Sequence, residues 1–165
     1  MPETQEIVIN TSPIITMVAA LGNLHVLQIY QRVWVPFEVC QEISAGGAAQ
    51  FALAEFEAAH WLQKRMQPLS ITAVLLNTLD IGEAAVIQLA LDQNIHTVAI
   101  DEAAGRRIAR LNGLSITGSI GILIRARSEG YQFSMQAAID RMKARGIWLS
   151  QRVISFALTQ AGETP

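Results

Sequence analysis

Near its start the chain runs Ile7-Val8-Ile9 and stops abruptly at Asn10-Thr11-Ser12-Pro13. An apolar run that ends in small polar residues and a proline reads as a buried strand, Ile7–Asn10, then a tight turn. A helix follows, capped by Ser12 with Pro13 at its first position. The pattern recurs at Thr97-Val98-Ala99-Ile100, where the run ends in Asp101 and again leads into helical sequence. Between and after these runs the periodicity predicts short helices at Pro13–Ala20 and Leu24–Tyr30, broken at Gly22-Asn23, and a short strand at Val33–Val35. Pro36 opens a helix to about Ile43, and an alanine-rich helix runs from the Gly46-Gly47 break to about His60. Leu62–Met66 fits an edge strand, and Pro68-Leu69-Ser70 a turn before helical sequence at Ile71–Thr78. Gly82–Asp92 is a strongly apolar helix, His96–Ile100 a buried strand, and Glu102–Leu111 a helix ended by Asn112-Gly113. Ser115–Thr117 is a short strand and Gly118–Glu129 a helix. Ser134 caps an amphipathic helix to Arg145, and Ser150 caps a last one to about Gln160.

Strands that alternate with helices imply a parallel sheet covered on both faces. The expected fold is an α/β/α sandwich with about four or five strands. The first strand and Thr97–Ile100 should be neighbours, with their carboxyl ends on one edge. In open α/β sheets that edge is where ligands bind. A length of 165 residues suits one domain, and no internal repeat or low-complexity linker divides it. No apolar run reaches the roughly 18 residues of a membrane span. The acidic start, Met1-Pro2-Glu3-Thr4-Gln5-Glu6, lacks a signal-peptide basic region. Cys40 is the single cysteine, which excludes an internal disulfide and matches a reducing compartment; the expected location is cytoplasmic. It has no zinc-type companions.

A hydrophobic fraction of 51 % with positive mean hydropathy leaves two readings, an alanine-rich core or an apolar face buried against a partner. Net charge is −2, unevenly spread. Residues 1–100 carry three Lys/Arg against nine Asp/Glu, whereas residues 101–165 carry nine against five. Such a split permits a polyanion on one side and cations on the other, although arginines also gather near helix C-termini.

Four clusters could carry chemistry. Asn10-Thr11-Ser12 places oxygens at a strand end, where they also serve as ordinary turn and cap residues. Glu38 and Glu42 fall on one face of their helix, as ligands or as solvated charges. Asp80 and Glu83 fit a capping box. The helix behind them is apolar nearly all round, so an acid on its first turn would face the interior or a cleft and need a cation or a donor there. Asp101 can cap the helix after its strand with one oxygen and keep the other for a ligand. Arg106, Arg107 and Arg110 line that helix and could meet phosphates or water. His25, His60 and His96 have no metal-ligand spacing, and Trp34, Trp61 and Trp148 form no stacking stripe. Phosphate-cradling glycine motifs are missing.

Taken together, Asn10–Pro13, Leu79–Glu83, Ile100–Arg107 and Thr117–Gly121 resemble the PIN-domain family over most of the chain, in a branch with an N-terminal Asn-Thr-Ser-Pro segment. Many PIN domains are similar to the VapC toxins of toxin–antitoxin pairs. The resemblance implies a single PIN-like α/β/α domain over residues 1–165, with a C-terminal helical extension from about residue 132. It implies acids gathered at the carboxyl edge of a parallel sheet, holding Mg²⁺ or Mn²⁺ and cleaving RNA. Carried over by position, the site falls on Asn10, Glu42, Glu83 and Asp101, with Glu38 a weaker alternative to Glu42. Ser12 and Thr11 support it, and Arg106 and Arg107 hold RNA phosphates. Asn10 stands where nuclease members carry Asp; its amide oxygen can still ligate a hard cation but brings no charge. The implied partners are RNA, a cognate antitoxin protein and a second copy in a homodimer, with no membrane. The alternative is a non-catalytic PIN-like module that binds RNA or protein.

Overall fold

The computed structural model describes residues 6–165, apart from the side chains of Ala48 and Ala49. The acidic N-terminal stretch falls outside it up to Gln5. Among the described residues five strands form one wholly parallel sheet. They are β1 (Glu6–Ile9), β2 (Arg32–Val35), β3 (Gln63–Lys64), β4 (Thr97–Ala99) and β5 (Ser115–Thr117), in the order β3-β2-β1-β4-β5. β1 pairs with β4 through Val8–Val98 and Ile9–Ala99, so the expected adjacency is found, with both carboxyl ends on one edge. Ile7, Val8, Ile9, Val98 and Ala99 are all 0 % exposed, as unbroken apolar runs buried on both sides require.

The helices are α1 (Thr11–Leu21), α2 (Phe37–Ser44), α3 (Leu53–Ala58), α4 (Ala73–Thr78), α5 (Ile81–Gln93), α6 (Ala103–Leu111), α7 (Ser119–Ser128), α8 (Met135–Ala144) and α9 (Gln151–Gln160). Right-handed crossovers put α5 and α6 on one face of the sheet and α1 on the other. α1 packs against α7 and α8, and α9 against both of those, while α2 touches α1 and α5 at the carboxyl edge. This is the α/β/α sandwich. α5 is buried without a break from Gly82 to Ala90, because a helix apolar on every side has to lie beneath others. No helix among the described residues is long and apolar enough to cross a membrane.

Three expectations give way, the first being the helix at Leu24–Tyr30, which is a 3-10 segment, His25–Ile29. α1 begins at Thr11 with Asn10 as its N-cap, so Ser12 is no cap and Pro13 is the third helical residue. Proline is tolerated there because first-turn N–H groups have no helical partner to lose. The alanine-rich helix is a 3-10 segment, Gly47–Ala52, followed by the short α3. The caps at Ser134 and Ser150 are present; each hydroxyl accepts the N–H three residues on, at 3.1 Å. The C-terminal segment is tied back by Arg127. Its guanidinium donates to Phe133 O, Ala161 O and the Glu163 carboxylate.

Candidate active site

The chain leaves β1 toward β2 on one side and later returns to pair β4 on the other, so the strand order reverses between β1 and β4. A crevice opens at such a switch point, outside the carboxyl ends of the strands. Asn10, 4 % exposed, follows β1 directly, and its N–H bonds Ala99 O at 3.0 Å, locking the two strand ends together. From β4 the chain passes through Ile100 to Asp101 and Glu102. Glu102 turns toward β1: its carboxylate accepts from Ser12 Oγ at 2.6 Å and from Asn10 Nδ2 at 3.5 Å.

α2 and α5 bring further acids. Thr11 Oγ1 donates to Glu42 Oε1 at 3.2 Å. Asp80 caps α5 by accepting Glu83 N at 2.9 Å. The expected capping box is only half made, because the Glu83 side chain does not reach back to the Asp80 backbone. Its carboxyl meets the Asp80 side chain and the Gly105 N–H at the start of α6. Two glycines make the room. A methyl at Gly82 would collide with Glu42 Oε1 and lie 3.2 Å from Asn10 Oδ1. One at Gly105 would collide with Glu83 Oε1 and sit 2.9 Å from Ile100 Cγ2.

Crowded carboxylates hold protons. Glu83, 6 % exposed, is pushed up to about 8, first by burial and then by its hydrogen bond with Asp80 and the charges of Asp80 and Glu102. Burial also raises Glu42, against the Thr11 hydrogen bond, and Asp80 and Glu102 raise it further. Among the described residues no Lys or Arg forms an ion pair with Glu42, Glu83 or Glu102. Glu83 Oε1 is buried without a hydrogen-bond partner.

The structure therefore gathers Asn10, Ser12, Thr11, Glu42 and Glu83 with Asp80 and Glu102, and it does not bring Asp101 in with them. Both oxygens of Asp101 are taken by Ser119, Oδ1 by its N–H at 2.7 Å and Oδ2 by its hydroxyl at 2.6 Å. Asp101 thus anchors the start of α7 with one hydrogen bond to each oxygen. Burial raises its pKa, and the Ser119 bonds oppose that. Glu102 was missed: both acids lie beyond the end of β4, and nothing in the local pattern says which of the two faces β1.

Glu38, the weaker alternative, is 8 % exposed and accepts Leu69 N at 3.0 Å, pinning the loop before α4. Arg106 donates to Ile100 O at 2.8 Å beside Asp101, and Arg107 is exposed. The three histidines are exposed, and Cys40 is a half-buried thiol whose pKa burial raises.

Compared with protein families, the chain matches the PIN domain over residues 6–163, and it belongs to that family, whose fold is of the nuclease type. No curated protein matches it. PIN domains generally depend on divalent metals. The residues present fit such an ion: carboxylate and amide oxygens are the hard donors that Mg²⁺ and Mn²⁺ prefer. A cation would also offset the burial and the neighbouring acid charges that raise Glu83, and give its orphaned Oε1 a partner. Among the described residues no three His, Cys, Asp or Glu side chains stand close enough to form a ready coordination shell.

Proposed function

We propose that this protein is a divalent-metal-dependent endoribonuclease, acting as the toxin of a toxin–antitoxin pair. The observation that carries the reading is the uncompensated acid cluster at the switch point, with Glu83 protonated up to about pH 8 and one of its oxygens unpartnered. Glu42, Glu83 and Glu102 would hold Mg²⁺ or Mn²⁺, with Asn10 as a neutral oxygen ligand. When bound, such an ion supplies an activated water and offsets the charge that builds on a phosphodiester under attack.

The chain's own residues do the positioning. Ser12 and Thr11 fix the carboxylates of Glu102 and Glu42 by hydrogen bonds. Gly82 lets Glu42 approach Asn10, and Gly105 lets Glu83 lie against α6. Exposed Arg107 offers charge to RNA phosphates beside this edge. The test is cleavage of single-stranded RNA by purified protein in Mn²⁺, with EDTA and Glu83→Gln as controls. Metal-dependent cleavage lost in both controls supports the reading; cleavage that survives Glu83→Gln refutes it. For the toxin role, induced expression should arrest growth, and co-expressing a neighbouring antitoxin frame should restore it.

One observation favours a second reading, a non-catalytic RNA- or protein-binding module. Asn10 supplies an amide N–H to Glu102 at 3.5 Å where an acid would repel it. RNA binding without cleavage at any divalent concentration selects this reading.

A further inference from the structure

β4 ends at Ala99, and the next carbonyl, Ile100 O, has left the ladder of the sheet. The Ile100 N–H still bonds Thr117 O at 3.0 Å. Its carbonyl is met by a side chain instead, because Arg106 Nη1 donates to it at 2.8 Å. Arg106 lies on α6 one turn beyond Glu102, whose carbonyl accepts the Arg106 N–H at 3.0 Å. The guanidinium therefore folds back over the turn from which its own helix springs. It closes a ring through Ile100, Asp101, Glu102 and the first turn of α6. Asp101 fixes the far side of that ring by its two bonds to Ser119. Gly118 makes room for both: a methyl there would stand 2.7 Å from Arg106 Nη1 and 2.8 Å from Asp101 Oδ1. Glu102 is thus held from both neighbouring sides while its carboxylate reaches across to Ser12 and Asn10.

The positive charge of Arg106 is not what meets the acid cluster. The guanidinium is half-buried, and among the described residues it forms no ion pair. The charges that act on Glu42 and Glu83 are those of Asp80 and Glu102. We propose that Arg106 is a positioning residue: by holding Ile100 O it sets the direction in which the turn from β4 to α6 presents the Glu102 carboxylate to a divalent cation. The proposal rests on the acid cluster binding that cation.

Position and charge predict opposite signs. Acting by charge alone, Arg106 would repel the ion, and its removal would tighten metal binding. Acting by position, its removal frees Glu102, which must then be ordered as the ion binds, and metal binding weakens. The experiment is calorimetric titration of Mn²⁺ into wild type, Arg106→Ala and Arg110→Ala. Arg110 is an exposed arginine on the same helix and serves as the charge control. Arg106→Ala should bind Mn²⁺ at least tenfold more weakly, in the range seen when the support of a metal ligand is lost, and Arg110→Ala should bind no more weakly than the wild type. Metal-free hydrogen exchange in EDTA should show Arg106→Ala losing protection at the Ile100 and Ser119 N–H groups and keeping it at Ile7–Ile9. Unchanged or tighter Mn²⁺ binding by Arg106→Ala, or an equal loss in Arg110→Ala, overturns the proposal. A loss confined to RNA affinity in EDTA also overturns it and makes Arg106 a phosphate contact. If Arg106→Ala does not fold, Gly118→Ala decides, since its methyl displaces the guanidinium without deleting it: weaker Mn²⁺ binding supports the proposal and unchanged binding overturns it. A wild type that binds no Mn²⁺ removes the metal reading and the proposal with it. A wild type that binds Mn²⁺ no better than Arg106→Ala overturns the proposal alone.

Discussion

Raising the pH of the metal-free protein from about 6 to about 8.5 should destabilise it, and Glu83 sets the size of the loss. This carboxyl ionises near 4.5 in an unfolded chain and at about 8 in the fold. Between those values the folded chain keeps a proton that the unfolded chain has released. The stability linked to that proton is fully present below the unfolded value and is lost as pH rises through the folded one. One proton's difference amounts to about 1.4 kcal/mol per pH unit. Asp80 and Glu102, whose charges help hold the proton, are exposed to solvent. Screening narrows the pH range over which that slope runs and leaves the slope itself unchanged. In a domain of this size the slope is roughly 3–6 °C in Tm per pH unit. Glu83→Gln keeps the shape and cannot ionise, so its melting temperature in EDTA should be flatter with pH and stand above that of the wild type at the alkaline end. Mn²⁺ at about 100 times its Kd should return about 2.7 kcal/mol to the wild type and little to the variant. Thermal melts followed by near-UV circular dichroism read all of this. Parallel slopes for the two proteins, or a wild type that gains stability with rising pH, would refute the reasoning.

Asn10→Asp should tighten Mn²⁺ binding and raise RNA cleavage by adding a charge to the cluster; calorimetry showing unchanged metal affinity and a lower Tm would mean that the Asn10 amide donor matters more. Gly82→Ala puts a methyl into Glu42 Oε1 on the first turn of α5; it should weaken metal binding at least tenfold while circular dichroism stays that of the wild type, a conservative figure for a displaced ligand. Arg127→Ala removes charge-assisted bonds to Phe133 O, Ala161 O and Glu163, and should cost about 2–3 kcal/mol in urea unfolding at unchanged m-value. Glu163 is held below the usual carboxylate range, first by the Gln136 N–H and then by Met135 N–H and Arg127. The stability it lends is present above the ordinary glutamate value and lost as pH falls below it, so wild type and Glu163→Gln should converge below about pH 4.

The apolar runs at Ile7–Ile9 and Thr97–Ile100 made the sheet's centre legible, because a strand buried on both faces has little choice of composition. The switch point followed from their shared polar ends, and Asn10, Glu42 and Glu83, which the family resemblance pointed to, lie around it. Asp101 and Glu102 could not be told apart. Which of two adjacent acids faces β1 depends on how the chain leaves β4, and the Ser119 bonds that hold Asp101 connect residues 18 positions apart. The start of α1 was misplaced because Ser12 looks like a cap by composition, whereas its hydroxyl is committed to Glu102, 90 residues away.

The central position of β1 governs when the crevice can form during the chain's own synthesis. The strand emerges first but is flanked by β2 and β4, and Asn10 is fastened to Ala99 and Glu102. Until the ribosome has released the segment near residue 102, the amino-terminal half has acids but no crevice to hold them. Translation at about 5–20 residues per second imposes a delay of several seconds. A cut or prematurely ended chain lacking α6 would be inert rather than partly active. With the proposed ribonuclease activity, this ordering would protect the message and the ribosome that are still producing it.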